Sequence, residues 1–237
     1  METTPYDKDP VPDYDAFYRQ YCETVHGLDE NIGRILDHVQ DSGLAESTLV
    51  VYTSDNGFAL GEHGFYDKRD AFEESIRVPM LAYAPGLIRP GTKIDQMVMN
   101  LDVAPTMLEL AEAKPDAEVK MDGRSFLPLL KGQDVGWRDH ILYEYHWEWN
   151  FPATPTLFAI RGQRFKFIFY HGVWDHNGFY DLKTDPHERH NLINVPAYKE
   201  QIAAMQKKLF DEMESRNALV LPVRRPAGAR LDDRKLP

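Results

Sequence analysis

Apolar residues early in the chain repeat with the period of a helix. Between residues 16 and 40 they recur at steps of three and four residues: Val25, Leu28, Ile32, Leu36 and Val39. This spacing predicts one face of an amphipathic helix, and Gly43 stands where a glycine commonly ends a helix. A continuous apolar run then extends from Thr48 to Thr53, which is typical of a strand that is buried on both faces.

The following segment predicts more strands and a second helix. Residues 78–84 form another apolar run, in which Pro79 is compatible with a strand because it stands near the start. Residues 98–101 predict a third short strand, and residues 102–113 predict a helix with Asp102 as its N-cap. Helix, strand, loop, strand, strand and helix in this order predict part of a parallel α/β sheet.

The second half of the chain has a different texture. Short aromatic-rich runs between turn residues predict a small antiparallel sheet, with strands at 141–145, 156–161, 165–170 and 178–182. Helical spacing then predicts a helix that covers one face of this sheet, through Ile202, Met205, Leu209 and Met213. We therefore divide the chain into an arm (1–15), part of an α/β domain (16–113), a connection (114–136), a small subdomain (137–216) and a tail expected to be mobile (217–237).

Composition and charge restrict the class of partner. The net charge of −11 over 237 residues argues against nucleic acid as the main ligand, because phosphate binding needs clustered lysine and arginine. Cys22 is the single cysteine, which excludes an intrachain disulfide, and we expect it to be buried as a small apolar residue. No apolar run is long enough for a transmembrane segment, and residues 1–9 do not resemble a signal peptide.

The sequence TSDNG at residues 53–57 carries candidate chemistry. Asp55 and Asn56 follow the predicted buried strand, and paired oxygen donors at a strand end suit a divalent cation such as calcium. Lys68, a short loop later, could bring a positive charge to the same place. The alternative interpretation is a hairpin turn at Asn56 and Gly57, since Asn-Gly is the commonest hairpin signal. On its own, the pentapeptide favours the turn.

The motifs around this segment resemble those of type I sulfatases, a family of the alkaline phosphatase superfamily. They follow the order of the family over residues 15–215: LDENIGRIL (28–36), SDNG (54–57), LGEHG (60–64), Lys68, ESIRVP (74–79), PG (85–86), DVAPT (102–106), GRS (123–125), FYDL (179–182), DP (185–186), Glu188 and NL (191–192). The resemblance implies an alkaline-phosphatase-like fold, here a partial three-layer α/β sandwich with a small C-terminal α+β subdomain that contains an antiparallel sheet.

The resemblance also implies a reaction, the calcium-dependent hydrolysis of sulfuric esters. In the family, a formylglycine hydrate attacks sulfur while Ca²⁺ and basic side chains hold the sulfate oxygens. Asp55 and Asn56 match calcium ligands, and Lys68 matches the catalytic lysine beside the sulfate. His63 is a second catalytic candidate, and its place between glycines leaves two roles open: contact with sulfate or support of the loop.

One part of the sulfatase pattern is absent. The nucleophile motif, Cys or Ser followed by x-Pro-x-Arg, does not occur, and the residues around Cys22 do not match it. Formylglycine and the first aspartate pair of the calcium site are expected in an N-terminal half of the family that this chain lacks. We therefore expect a truncated or split sulfatase with exposed apolar edges, inactive alone, whose partner is that N-terminal half. Full-length members of the family are expected in the periplasm or outside the cell.

An aromatic and histidine cluster in the small subdomain is a candidate substrate site. His146, Trp147, His171 and Trp174 stand near predicted loops, where aromatic faces stack on sugar rings and histidines bind hydroxyls. The alternative interpretation is that aromatic residues fill the core, which we expect for the phenylalanines of the 165–170 strand. The pattern is similar to that of bacterial sulfatases that remove the 6-sulfate of N-acetylglucosamine from mucin or heparan-type glycans.

Two other functions stay open at this point. The chain could belong to a phosphodiesterase or phosphonate hydrolase of the same superfamily, although those enzymes more often carry Asp-His where this chain has Asp55 and Asn56. It could also be a non-catalytic remnant or binding module that retains the second half of the fold. A nucleophile-bearing partner half would distinguish a sulfatase from such a remnant.

Overall fold

Five helices and eight short strands make up the described part of the chain. The structure is a computed structural model, and it describes residues 13–64, 66–114, 118–148, 151, 153–172 and 176–220. The helices are α1 (Tyr14–Asp41), α2 (Glu73–Ile76), α3 (Val103–Leu110), α4 (Leu127–Leu130) and α5 (Lys199–Ser215). The strands are β1 (Val50–Tyr52), β2 (Ala59–Leu60), β3 (Tyr66–Asp67), β4 (Leu81–Tyr83), β5 (His140–Tyr145), β6 (Leu157–Gly162), β7 (Phe165–Tyr170) and β8 (Gly178–Asp181).

Helix α1 forms where the apolar period predicts it, but its apolar face is open to solvent. The Asp13 carboxylate caps the first turn by accepting hydrogen bonds from the amides of Asp15 and Ala16 at 3.1 and 3.2 Å. Gly43 follows the last turn with a φ of 71°. Apolar residues at alternating steps of four and three form what we call the α1 stripe, in which only Val39 is buried: Tyr14, Tyr18, Tyr21, Val25, Leu28, Ile32, Ile35 and Val39.

Strands β1 and β4 pair antiparallel, so the predicted parallel arrangement of these strands is wrong. Val50 lies opposite Tyr83, and Tyr52 lies opposite Leu81. Parallel strands need a crossover connection, whereas the segment between β1 and β4 carries only the four-residue helix α2 and the short β2–β3 hairpin. Burial on both faces is also wrong, because β1 is half-buried throughout and the Leu81 side chain is 65% exposed.

The third strand predicted at residues 98–101 does not form. The Asp102 carboxylate accepts a hydrogen bond from the Met99 amide at 2.7 Å, which turns the chain into a 3₁₀ helix at Asn100–Asp102. Asp102 precedes α3 as predicted, but its side chain does not cap that helix. It is fully buried and instead pairs with Arg138 at 2.5 and 2.7 Å. This ion pair joins the first half of the chain to the segment that leads into β5.

The small antiparallel sheet is confirmed, with strand order β5-β6-β7-β8. Helix α5 covers one face as predicted, and its Leu209 and Met213 pack on a layer of buried side chains: Phe158, Ile160, Phe167 and Phe179. Ala71 and Phe72 cover the other face, where they pack on Leu157, Ala159, Ile168 and Tyr180. The loop between β3 and α2 is therefore the outer layer of this subdomain.

Several expectations lie outside these contacts or outside the described residues. The predicted division into five segments stays a prediction; α4 lies within the predicted connection and packs in its own apolar cluster. Most of the arm (1–12) and of the tail (221–237) lies outside the described residues. Cys22 lies exposed on α1, so its predicted burial is wrong. In the described chain, we find no helix long and apolar enough to cross a membrane.

Candidate active site

The loop after β1 presents Asp55 and Asn56 side by side at the surface. The Asn56 amide donates to the Asp55 carboxylate at 2.9 Å, and the side-chain amide of Asn100 donates to the carbonyls of Ser54 and Asp55 at 3.1 and 2.9 Å. Asp55 is exposed and Asn56 half-buried. Asn100, which lines the same cleft as Asp55 and Asn56, thus holds the backbone of this loop in place.

Gly57 lies in this loop for a reason other than a hairpin turn. Strand β1 pairs with β4, and β2 pairs with β3, so no hairpin joins β1 to β2. The Gly57 amide donates to the Ser75 carbonyl at 2.9 Å, and a Cβ at this position would overlap the Glu74 carbonyl oxygen. Only glycine permits this approach of the loop to α2, so the turn interpretation is wrong.

Lys68 lies next to the same pair of side chains. Its ammonium donates a hydrogen bond to the Asn56 side-chain oxygen at 2.9 Å, and its own amide donates to the Asp67 carboxylate at 2.7 Å at the end of β3. Asp55, Asn56 and Lys68 all line one cleft of about 1300 Å³. The three residues that the sequence singled out are therefore brought together.

The described residues meet only part of the requirement of the predicted calcium site. Calcium takes about six to eight oxygen ligands, and this loop offers the Asp55 carboxylate and the Asn56 amide oxygen. The described residues contain no group of three or more His, Cys, Asp or Glu side chains that could hold a metal ion. The donor types fit calcium, but the donor number does not, so Asp55 and Asn56 alone do not make a complete calcium site.

His63 contacts residues at the start of α2. Its ring stacks on Phe72 with 3.6 Å between ring centroids, and its Nε2 lies 3.2 Å from the Glu74 carboxylate. It has a φ of 55°, which non-glycine residues rarely adopt. Of the two roles left open by the sequence, these contacts favour support of the loop.

The wall of the cleft beside Lys68 comes from residues that the sequence did not single out. The Arg69 guanidinium stacks on the Phe151 ring, with 3.2 Å to its centroid, and pairs with Asp67 at 2.6 Å and Glu148 at 3.3 Å. Tyr145 donates to Glu148 at 3.0 Å. Arg69, Tyr145 and Glu148 line the cleft. Arg69 directly follows Lys68, and Glu148 lies in the aromatic cluster, so both were within reach of sequence reasoning.

The predicted substrate residues gather at one end of the small sheet. The Trp147 amide donates to the Thr156 hydroxyl at 2.9 Å, and the His171 amide donates to the Thr156 carbonyl at 2.9 Å. His146 packs edge-on against Phe158, and Trp147 is 50% exposed. Trp174 lies outside the described residues. Tyr145 and Glu148, which adjoin this end of the sheet, also line the cleft. The role of His146, Trp147 and His171 as substrate-binding residues stays a prediction.

A buried charge cluster fixes the loop that carries Lys68 to the sheet. The Lys166 ammonium, on β7, is fully buried and lies 2.9 Å from Glu73 and 2.7 Å from Glu188. Glu73 also pairs with Arg161 at 3.0 Å. Burial raises the pKa of Glu73, but the opposite effect of Lys166 and Arg161 together is larger, so the pKa of Glu73 lies below its ordinary value. For Glu188, burial outweighs Lys166 and raises the pKa to about 7.

Asp70 is a second buried acid in the same loop. Its carboxylate accepts hydrogen bonds from the Ala71 amide at 2.5 Å and from the Tyr170 hydroxyl at 3.3 Å. Burial raises the pKa of Asp70 to about 6, although these hydrogen bonds and the Lys166 charge lower it. Asp70 in the loop and Glu73 at the start of α2 thus both bind side chains of β7, Tyr170 and Lys166, which fix the segment to the sheet.

Comparison with known proteins places this arrangement in a family. Residues 61–215 match the family model for N-sulphoglucosamine sulphohydrolase, C-terminal, and residues 2–113 match the model for sulfatase. The chain is 36% identical over 207 residues to an N-acetylglucosamine-6-O-sulfatase of Bacteroides thetaiotaomicron, which covers 85% of this chain and 36% of that protein. It is 34% identical over 155 residues to an N-acetylglucosamine-6-sulfatase of Bos taurus, which covers 65% of this chain and 27% of that protein.

Solved structures agree with this placement. A protein solved in complex with its substrate, D-glucosamine-2-N,6-O-disulfate, superposes with a TM-score of 0.79 at 33% identity over 86% of this chain and 42% of that one. A phosphonate monoester hydrolase of Agrobacterium radiobacter gives a TM-score of 0.75 at 26% identity over the same shares. The chain spans less than half the length of each of these relatives, and it has the α/β, alkaline-phosphatase-like fold that they share. The chain therefore belongs to the sulfatase family.

Proposed function

We propose that this chain provides one side of the active site of a sulfatase that hydrolyses sulfuric esters of carbohydrates, with 6-sulfated N-acetylglucosamine as the substrate. The observation that carries the proposal is the hydrogen bond from Lys68 to Asn56 beside Asp55 in a single cleft. A sulfate monoester becomes more negative at its bridging oxygen as the bond to sulfur breaks, and a fixed ammonium stabilises that charge. The names of the two sulfatase relatives support the choice of sugar.

Asp55 and Asn56 are the proposed calcium ligands of this chain. A bound divalent cation polarises a sulfate oxygen and orients the ester. One anionic and one neutral oxygen donor leave much of the cation's charge available for this purpose. With the Asn56 side-chain oxygen engaged by a cation, the Lys68 ammonium that now donates to it would be available to donate to the ester. His63 supports the loop from behind through Phe72 and Glu74.

The nucleophile and the remaining ligands are proposed to come from the part of the sulfatase sequence that this chain does not match. Two features of the fold support this. The α1 stripe exposes apolar residues along a helix of 28 residues, and β1 and β4 each have one strand neighbour. A helix face and open strand edges of this kind are normally covered. We propose that the missing portion of the fold covers them, whether in the same polypeptide or in a second one.

The test measures sulfate release from N-acetylglucosamine 6-sulfate. We expect no release by the 237-residue chain alone, and release when the unmatched part of the Bacteroides relative is supplied in fusion or in trans. In the active assembly, Lys68→Ala is expected to lower kcat by about 10²-fold or more, whereas Lys131→Ala, at the exposed position that ends α4, is expected to leave kcat unchanged. Turnover by the isolated chain, or full activity of Lys68→Ala, would overturn the proposal.

Metal and substrate class are tested in the same assembly. Chelation is expected to abolish sulfate release, and added Ca²⁺ is expected to restore it. Asp55→Asn is expected to lower the affinity for Ca²⁺ and so to raise the Ca²⁺ concentration needed for half-maximal activity. The similarity to a phosphonate monoester hydrolase favours one competing function. Faster hydrolysis of a phosphonate monoester than of the sulfated sugar would assign that function instead.

A further inference from the structure

Four basic side chains converge on a second, smaller pocket outside the candidate active site. This pocket, of about 450 Å³, is formed by the segment after α2, the β6–β7 turn and the turn after β8. Its basic residues are Arg77, Arg161, Arg164 and Lys183. Glu73 is the single carboxylate that lines it, and Glu73 is already paired with the buried Lys166. In a chain with a net charge of −11, this is an unusual concentration of positive charge.

Two of these side chains are fixed in place. Arg161 pairs with Glu73 at 3.0 Å. Arg164 donates to the fully buried Asp181 carboxylate at 2.7, 3.0 and 3.1 Å. Arg161 also donates to the Gly162 carbonyl and the Met97 sulfur, each at 3.2 Å, so most of its N–H donors are engaged. Arg164 has N–H donors beyond those that the Asp181 carboxylate engages, and these remain for a second acceptor. Their geometry is set before any ligand arrives, which reduces the entropy lost on binding.

The other two side chains are exposed and carry unbalanced charge. Within the described residues, the Arg77 guanidinium and the Lys183 ammonium make no hydrogen bond or ion pair with another side chain. Like charges held on one pocket repel each other, and an anion between them relieves that repulsion. Fixed arginines beside free cations form an arrangement suited to sulfate or carboxylate oxygens.

The small pocket adjoins the cleft that holds Asp55, Asn56 and Lys68. Arg77, Arg161 and Gln163 line both cavities. A ligand that extends from the cleft toward the β6–β7 turn therefore meets Arg77 and Arg161 first, with Arg164 and Lys183 beyond them.

We propose that this basic pocket binds a second anionic group, a sulfate or a carboxylate, on a sugar adjacent to the one that is desulfated. The inference rests on the proposed function for its orientation, and it narrows the substrate class to glycans with several negative charges. A singly sulfated monosaccharide fills the cleft alone and gains nothing from the pocket. Arg77 and Lys183 act here as specificity residues. The sulfate ester bond that is hydrolysed lies in the cleft beside Lys68, not in this pocket.

Binding by the full 237-residue chain tests the pocket without any need for turnover. The probes are a heparin-derived tetrasaccharide and N-acetylglucosamine 6-sulfate, measured by calorimetry at low and physiological salt. Replacing both free cations, in Arg77→Gln/Lys183→Gln, is expected to weaken tetrasaccharide binding by about tenfold and to reduce its salt dependence. Lys183→Glu, at an exposed turn position where folding is not at risk, is expected to weaken it by a similar factor.

The matched control removes the same charge elsewhere. Arg19→Gln/Lys199→Gln, at exposed positions on α1 and α5, is expected to leave tetrasaccharide affinity within about twofold, as exposed single charges do. Equal affinities of the control, the double variant and Lys183→Glu would overturn the inference.

The same data separate this inference from the proposed function. If tetrasaccharide binding depends on Arg77 and Lys183 while Lys68→Ala has normal activity in the completed protein, the pocket stands and the sulfatase assignment falls. If Lys68→Ala is inactive and the pocket variants bind both probes as the unaltered chain does, the sulfatase assignment stands and the pocket falls.

Discussion

The two halves of the molecule bury their apolar residues to very different degrees. In the small subdomain, Leu157, Ile160, Ile168 and Leu209 are fully buried between the sheet, α5 and the loop at Ala71. In the first half, α1 buries one residue of 28, and Leu81 of β4 is mostly exposed. The helices of the two halves, α1 and α5, have the same kind of apolar periodicity in sequence. The difference is that the sheet finds both of its covering layers within the described chain, whereas α1 does not.

This difference indicates where the fold is self-sufficient. A sheet covered on two faces has its own core, and the charge cluster around Lys166 adds the Lys68 loop to it. The Asp55–Asn56 loop belongs to the other half. It contacts α2 through Gly57 and the Lys68 loop through Asn56. The candidate active site thus lies at the boundary between the part that stands alone and the part that needs a covering layer.

The largest expected effect comes from the cluster that joins the loop to the sheet. Lys166→Met leaves Glu73 and Glu188 buried with less compensating charge and is expected to lower the free energy of unfolding by about 3–5 kcal/mol. Denaturant unfolding followed by tryptophan fluorescence measures this. Adding Glu188→Gln in the same chain should recover part of the loss. A cost below about 1 kcal/mol for Lys166→Met would mean that the loop is not held by this cluster.

A pair of truncations compares the two halves directly. Leu209→Ala opens a cavity between α5 and the sheet and is expected to cost about 2–5 kcal/mol. Ile35→Ala, on the exposed α1 stripe at 57% exposure, is expected to change the free energy of unfolding by less than about 0.5 kcal/mol. Urea midpoints of the two variants provide the comparison. Similar costs for both would show that the stripe is covered in solution.

Asp70 gives the comparison a pH dependence. Its pKa of about 6 in the folded state lies above the ordinary value for an aspartate, so the folded chain binds more protons than the unfolded one between about pH 4 and pH 6. Stability therefore falls as pH rises through this window. Asp70→Asn removes the penalty, and its advantage over the unaltered chain should grow by about 2 kcal/mol from pH 4 to pH 7.

Thermal or urea unfolding across that pH range checks the prediction. Glu188 contributes its own slope to both proteins, so the difference between them isolates Asp70. The exposed Asp95→Asn serves as the control and should show no such growth. A constant difference between Asp70→Asn and the unaltered chain would contradict the assignment of a raised pKa to this buried acid.

The smallest expected effect concerns the contact between the halves. Gly57→Ala places a methyl group against the Glu74 carbonyl oxygen and is expected to cost about 1–3 kcal/mol by overpacking. Gly27→Ala, in α1 with open space around it, is expected to add about 0.5–1 kcal/mol through helix propensity. Urea midpoints measure both changes in the free energy of unfolding. A loss for Gly57→Ala and a gain for Gly27→Ala would support the crowded surroundings of Gly57 and the open surroundings of Gly27. A neutral Gly57→Ala would place the loop farther from α2.

The sequence predicted elements well and their surroundings poorly. The period of α1 and the aromatic runs of β5 to β8 located the helix and the sheet, because periodicity reports which side chains share a face. It does not report what covers that face. The direction of β4 was missed for a related reason, since it depends on pairing with the distant strand β1. The turn at Asn100–Asp102 was missed because a local hydrogen bond from the Met99 amide to the Asp102 carboxylate prevails over the strand propensity of the apolar run.

The site shows the same division. The proximity of Asp55, Asn56 and Lys68 followed from the family resemblance, since nothing local determines that a lysine 12 positions after an asparagine returns to it. The charge cluster was not predicted at all. Lys166 alternates with phenylalanines along β7, which is typical of an outward-facing residue, and only the loop at Ala71 and Glu73 buries it.

The position of the α1 stripe in the chain also affects how the protein is made. Helix α1 leaves the ribosome before any strand of the self-sufficient sheet. At about 5–20 residues per second, the roughly 100 residues between α1 and β5 take about 5–20 s to synthesise. Throughout that interval, the described residues that follow α1 leave most of this face exposed. Exposed apolar surface makes a nascent chain prone to aggregation, so the yield of soluble protein is expected to depend on how promptly the face is shielded.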